Sequence, residues 1–239
     1  MLIKVALNGA RPKSENAFIP HSVVEIENEV KALYSAGHKV FHIHCYDKSG
    51  NESLKPGDVN DLVSTVKNIS SEIQIGISTG DWIEPDINKR IEHIKNWKFL
   101  PDFASVNMIE DDALPVSKAL ISRGIAIEAG LNEKAAAEKF VNYKITEHCF
   151  RILIEPEAEI FKEAIKTVDE IESVLDGNNV KVKRLLHGFN SVSWALLLEA
   201  KKRGYDGRIG MEDTLFLQNG KSVSGNLEIF TEVRNLLNI

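Results

Sequence analysis

Eight short apolar runs, each followed by an amphipathic stretch, constrain this chain more than any other feature of it. The runs are Leu2–Leu7, Val40–Cys45, Ile73–Ser78, Phe103–Met108, Gly124–Ala129, Arg151–Glu155, Val182–His187 and Arg208–Glu212. They are brief, rich in β-branched residues and bounded by polar or turn residues, which is how strands buried on both faces read. Helical patterns lie between them. Val23–Ala36 places Val24, Ile26, Val30, Leu33 and Tyr34 at helical spacing and stops at Gly37. Pro85 opens a helix over Asp86–Trp97, and Asn132 opens one over Asn132–Tyr143. Ala158–Leu175, Ser191–Arg203 and Asn226–Leu237 follow, with shorter stretches at Val59–Val66 and Leu114–Ser122. Strands alternating with helices imply a parallel sheet. Eight such units predict closure into an α/β (β/α)8 TIM barrel, and 239 residues suit one barrel domain over 1–239, since a bare barrel needs roughly 250. The alternative is an open doubly wound sheet. Against it, Asn8-Gly9-Ala10-Arg11 after the first run is not the glycine-rich phosphate fingerprint of that fold.

A net charge of −6 gives no basic footprint for nucleic acid. Two cysteines, Cys45 and Cys149, make no disulfide framework, and a reducing, cytoplasmic compartment is expected. The apolar start Met1–Leu7 is too short for a signal peptide, and no apolar run approaches the roughly 20 residues of a membrane span.

The strand ends carry the functional signal. Asn8 and Arg11 follow the first strand, and His42 and His44 sit on the second. Ser78-Thr79-Gly80 ends the third, Ser105-Val106-Asn107 the fourth, Glu128 the fifth and Glu155 the sixth. His187-Gly188 ends the seventh and Glu212-Asp213 the eighth. In barrel enzymes the C-terminal ends of the strands carry the chemistry. Strand residues two apart share a face, so His42 and His44 can reach one cation. A carboxylate is a common further ligand in catalytic metal sites, and Glu212 is long enough to span from the last strand across the first. Adjacent residues diverge, so Asp213 falls to another role, either a base or a helix cap before Thr214. The plain reading of the two histidines is one core residue and one surface residue. Glu128 and Glu155 are open to pairing with Arg151 or lysines inside the barrel. His187 reads equally as a core histidine. Trp82, Trp97 and Trp194 are expected to pack helices onto the barrel.

These residues together resemble the β-keto acid cleavage enzyme family. The matching segments run the length of the chain: Asn8-Gly9-Ala10, Pro20, Ala36-Gly37, His42-Ile43-His44, Ile77-Ser78-Thr79-Gly80 and Ala104-Ser105-Val106-Asn107. Ile127-Glu128-Ala129-Gly130, His187-Gly188, Arg208-Ile209-Gly210-Met211-Glu212-Asp213 and Asn226 continue the match. Asp81-Trp82-Ile83 and Pro101-Asp102-Phe103 resemble a shorter branch of the family. The resemblance implies a zinc ion on His42, His44 and Glu212, with Asp213 as base held by Arg208. It implies substrate contacts from Ser78, Ser105 and Asn107, and Glu128 in the pocket. It implies a reaction of a β-keto acid with acetyl-CoA that gives acetoacetate and a new acyl-CoA, in a homo-oligomer. The chain departs from the family at Arg11, where relatives acting on the aminohexanoate carry a glutamate toward the substrate amine. An arginine lining the pocket there favours an anionic or neutral tail. Asp81 replaces a glycine, and Tyr46 stands where an arginine often follows the histidine pair. Competing readings are an amidohydrolase-type metal hydrolase, a metal-dependent lyase or aldolase without coenzyme A, and a non-catalytic binding barrel. The first usually carries its histidine pair on strand one, and the intact Glu212-Asp213 pair argues against the last.

Overall fold

A computed structural model describes residues 1–238. Eight parallel strands close into a barrel in chain order: β1 (Ile3–Ala6), β2 (Val40–Ile43), β3 (Gln74–Ser78), β4 (Phe103–Asn107), β5 (Ala126–Leu131), β6 (Cys149–Ile154), β7 (Arg184–Leu186) and β8 (Asp206–Ile209). Eight α-helices alternate with them: α1 (Val23–Ser35), α2 (Pro56–Ile69), α3 (Ile87–Asn96), α4 (Ala113–Ser122), α5 (Lys134–Tyr143), α6 (Phe161–Gly177), α7 (Ser193–Arg203) and α8 (Asn226–Leu237). The expected (β/α)8 barrel is therefore the fold. Local chemistry sets the helix ends. Ser22 and Glu25 form a reciprocal capping box at α1, and Pro56 begins α2, where its missing N–H costs nothing. Gly204 ends α7 in a left-handed conformation.

Strand alternation sorts the residues into two environments. Val5, Phe41, Ile43, Ile75, Ile77, Ala104, Val106, Ile127, Ala129, Ile152 and Ile154 join the helix residues in one apolar core between barrel and helices. Their neighbours in sequence face the barrel axis, and many of these are polar: Lys4, His42, Ser78, Ser105, Glu128, Arg151 and Arg208 are all buried. Register places Ser78 beside Ser105, Ser105 beside Glu128 and Glu128 beside Arg151. Lys4 on β1 and Glu128 on β5, strands that face each other across the barrel, meet in a fully buried ion pair.

Two expectations are corrected. The last strand stops at Ile209 rather than running on through Glu212, because the amides of Asp213 and Thr214 both donate to the Gly210 carbonyl at 2.9 Å and turn the chain. Trp97 and Trp194 pack as expected, but Trp82 stands 48% exposed at the barrel mouth. Its indole nitrogen donates to Glu52 Oε2 at 2.9 Å, so it belongs to a loop of the mouth and not to a helix interface. Among the described residues, no helix is long and apolar enough to cross a membrane.

Candidate active site

The turn after β8 and the short length of β2 together bring His42, His44 and Glu212 to one point. His42 lies within β2, His44 just past its end and Glu212 in the turn. His42 Nε2 is 3.7 Å from Glu212 Oε2, and His44 Nε2 is 3.5 Å from Glu212 Oε1. One ligand atom of each lies within 4.8 Å of the others. Asn8 fixes the backbone of His44: it accepts from the His44 amide at 2.9 Å and donates to the His44 carbonyl at 3.0 Å. Gly9 has φ +60°, and a Cβ there would collide with Glu212 Cγ, so only glycine lets the glutamate lie across the first loop.

Each imidazole is oriented from behind. His44 Nδ1 lies 2.5 Å from Glu52 Oε1. His42 Nδ1 lies 3.4 Å from Ser105 Oγ, which donates to Glu128 Oε2 at 3.0 Å. With both Nδ1 atoms engaged, both Nε2 atoms turn toward Glu212, the arrangement that outer partners impose on metal-bound histidines. Glu212 Oε2 is buried and has no hydrogen-bond partner, while Arg208 donates to Oε1.

The charges fit a cation. Burial pulls both imidazoles down. At His42 it prevails, and the ring is held neutral, well below its ordinary pKa. At His44 the carboxylates of Glu212 and Glu52 outweigh burial and hold the ring up at about 9. An added positive charge between these rings and Glu212 would take the place of that proton. The donor set also fits. Two imidazole nitrogens and a carboxylate are a usual donor set for a catalytic zinc ion, and here they stand within 4.8 Å of one another.

A cavity of about 450 Å³ opens over this cluster. Ser78, Ser105, Asn107, Arg208 and Arg11 line it, as do His42, His44 and Glu212. Two expected site residues do not. Glu128 is fully buried and takes bonds from Lys4, Ser105 Oγ and Arg151, the last at 3.1 Å. Its place is the closed layer beneath the cavity, and its link to the site runs through Ser105 and His42. Asp213 is also fully buried, receiving Arg208 NH2 at 2.8 Å and Nε at 3.2 Å. Arg208 stands between Asp213 and the cavity. Arg11 sits at the rim with one partner on each guanidinium nitrogen: Nε donates to the Glu212 carbonyl at 2.8 Å, NH1 pairs with Glu15 at 2.7 Å, and NH2 donates to Asn190. His187 Nε2 lies 3.2 Å from Glu155 Oε2, and its Nδ1 lies 3.3 Å from Asp213 Oδ1, so Glu155 pairs with a histidine and not with a cation of the barrel floor. Sequence reasoning missed Glu52, Trp82 and Asn132 as site residues. All three lie on loops or just past strand ends, where no periodicity marks a direction.

A closed parallel barrel with a histidine pair and a carboxylate at its C-terminal mouth defines a barrel-enzyme class of site. Within that class, residues 1–183 match the family described as beta-keto acid cleavage enzyme. The chain belongs to the β-keto acid cleavage enzyme family. It is similar to the 3-keto-5-aminohexanoate cleavage enzyme of Acetoanaerobium sticklandii, with 23% identity over 256 residues that span 99% of this chain and 91% of that one. Among solved structures it resembles ObcA in a ternary complex with a C4-CoA adduct and oxalate, at a TM-score of 0.75 and 16% identity over 92% of this chain. It spans 64% of that ObcA chain. A 3-dehydroquinate dehydratase from Geobacillus kaustophilus shares the fold at a TM-score of 0.59 and 9% identity, over 99% of this chain and 91% of that one.

Proposed function

We propose that this chain cleaves a β-keto acid with acetyl-CoA as co-substrate, and that His42, His44 and Glu212 hold a zinc ion for that reaction. The observation that carries the reading is the convergence of two Nε2 atoms on one carboxylate, the Oε2 of which is buried and has no hydrogen-bond partner. Bound there, zinc would supply Lewis-acid polarisation of the keto and carboxylate oxygens of a β-keto acid.

The remaining roles fall to the protein's own groups. Ser78, Ser105 and Asn107 line the cavity and position the substrate. Arg208 faces the cavity from β8 and meets the substrate carboxylate. The substrate offers it an alternative to its present partners, and Arg208 must change partner to expose Asp213. Asp213 then takes a proton from the carbon between the two carbonyls. The resulting carbanion attacks the thioester carbon of acetyl-CoA and expels the CoA thiolate. That thiolate adds to the original keto carbon, the bond to the acidic carbon breaks, and acetoacetate leaves as its enolate to regain a proton. The acyl group remains on CoA, so atoms and charges balance.

The test is a panel of β-keto acids incubated with the full chain, with and without acetyl-CoA. Acetoacetate that forms only with acetyl-CoA supports the reaction. Cleavage that proceeds equally without it would overturn the role of the coenzyme. Asp213→Asn should keep its metal and lose turnover, and full activity in that variant would remove Asp213 as the base.

A further inference from the structure

Behind one wall of the cavity lies a buried carboxylate, Glu110, in the loop between β4 and α4. Its two oxygens have separate partners. Oε2 faces α3, where the fully buried Arg90 donates to it through NH1 at 3.1 Å. The same NH1 donates to the Thr79 carbonyl at 3.1 Å, and Arg90 NH2 donates to Asp112. Oε1 faces the site. It accepts from Asn107 Nδ2 at 3.2 Å and from the Asp81 amide at 3.3 Å. Asn107 ends β4 and lines the cavity.

This arrangement decides what the cavity meets at Asn107. A carboxylate accepts and does not donate, so it takes the NH2 end of the amide. The amide oxygen is turned the other way. It lies 3.0 Å from where a Cβ on Gly130 would stand, on the patch of wall that glycine leaves open. With Glu110 ionised, this stretch of wall therefore shows an acceptor. A proton on Glu110 inverts it. Arg90 can only donate and keeps Oε2 as an acceptor, so the proton sits on Oε1. The hydroxyl then donates to Asn107 Oδ1, and Nδ2 turns to the cavity. The surroundings let that proton on near neutrality. Burial raises the Glu110 carboxyl and the carboxylate of Asp81 raises it further, while Arg90 only partly offsets them, and it is pushed up to about 7. The other charges nearby have partners of their own: Asp112 pairs with Arg90, Asp111 with Lys139 of α5, and Glu155 with His187.

We propose that Glu110 is a positioning residue that sets which end of the Asn107 amide faces the substrate, so that proton uptake at Glu110 turns this wall from acceptor to donor. This rests on reading the cavity as a β-keto acid site. The keto and carboxylate oxygens of such an acid accept and need donors, so the protonated form of Glu110 is the one that binds it.

Glu110→Gln tests this directly. Arg90 takes the new amide oxygen, which leaves the NH2 toward Asn107. The variant should hold Asn107 in the orientation that protonated Glu110 gives, at the cost of the bond from the Asp81 amide. Two measurements on the metal-replete full chain read it. The first is heteronuclear NMR of the Asn107 side-chain amide, identified by the signal that Asn107→Ala removes. It should shift as pH passes through about 7 in the wild type and stay at the low-pH position in Glu110→Gln. The second is calorimetric binding of acetoacetate, with KM for β-keto acids beside it. The wild type should bind about 3–10-fold more tightly below that pH than above it, the scale of one hydrogen bond, and Glu110→Gln should bind tightly on both sides. If Glu110→Gln does not fold, Asp81→Asn decides: it removes a carboxylate that raises Glu110, so the NMR midpoint should move to lower pH, and an unmoved midpoint overturns the proposal. An Asn107 signal that ignores pH in the wild type, or still follows it in Glu110→Gln, overturns it. So does an acetoacetate affinity as dependent on pH in Glu110→Gln as in the wild type. No turnover of any β-keto acid, with the NMR shift present and lost in Glu110→Gln, supports the positioning role and overturns the cleavage reaction.

Discussion

Two charged clusters share the barrel interior, and they differ in whether their polar atoms are satisfied. In the lower one Glu128 is fully buried and takes donors from Lys4, Arg151 and Ser105. Cations outnumber the carboxylate, and the charges show it. Burial alone would push the Glu128 carboxyl up, but Lys4 and Arg151 outweigh it and hold it down at about 2. Burial pulls Lys4 down to about 8, and Glu128 only partly offsets this while Arg208 and Arg151 add to it. The upper cluster differs in being incompletely partnered, although Arg208 donates to one oxygen of Glu212. Glu212 and Glu52 crowd the two histidines, one oxygen of Glu212 has no partner, and a cavity opens above. A closed cluster of this kind holds a barrel together. An open one with acceptors to spare binds something. Glu128 lies within β5 and Glu212 in the turn after β8, and their partners tell the roles of the two carboxylates apart.

The largest effect should come from breaking the closed cluster. Glu128→Ala leaves Lys4 and Arg151 buried without a counter-charge, and a loss of about 3–5 kcal/mol is expected from urea unfolding. Zinc bound per folded molecule should stay the same. The pH dependence follows from the depressed pKa. Because the folded value lies below the ordinary 4.5, the contribution of Glu128 is present above pH 4.5 and fades as pH falls toward about 2. The gap in stability between wild type and variant should therefore narrow over that range. A constant gap would show that packing, and not charge, holds this layer.

Breaking the open cluster should do the converse. His44→Ala should lose bound zinc and keep a cooperative unfolding transition, since Glu212 retains Arg208 and Glu52 retains the Trp82 indole as partners. Zinc retained at one per chain would place the metal elsewhere. Glu52→Gln is a finer cut. It weakens the partner that turns His44 Nε2 toward Glu212, and zinc affinity should fall about 10–100-fold, as for other outer partners of metal-bound histidines. Competition with a chelator of known affinity measures it, and an unchanged affinity would mean that Asn8 alone orients His44.

The sequence made the barrel readable because alternation is a local property. Val5, Phe41, Ile75 and Ile127 face the helices because strand residues alternate, whatever surrounds them. The candidate cluster was readable for the same reason: His42 and His44 stand two residues apart at the end of β2, and Glu212 follows the strand that closes next to β1. Depth was not readable. Whether Glu128 or Ser105 reaches the cavity depends on barrel register, which no single strand contains. Loop partners were not readable either. Glu52 comes to His44 through a small loop closed by the bridge between Tyr46 and Glu52, and Glu15 comes to Arg11 through the fold of the first loop. Arg11 read alone suggested a positive pocket, and the fold sets Glu15 beside it at the rim.

The smallest effect expected serves as a control on the comparison, because it lies outside both clusters. Ser22 caps α1, accepting from the Glu25 amide at 3.3 Å while Glu25 Oε2 accepts from the Ser22 amide at 2.9 Å. Ser22→Ala removes one half of this box, and a loss of about 1 kcal/mol is typical of such a cap. The helix follows the loop that carries Asn8 and Gly9, which hold His44 and make room for Glu212. If cap and site are independent, the variant unfolds slightly earlier and binds zinc with unchanged affinity. A drop in zinc affinity as large as that of Glu52→Gln would mean that the first loop transmits strain into the open cluster. The two clusters could then not be treated as the only determinants of the site.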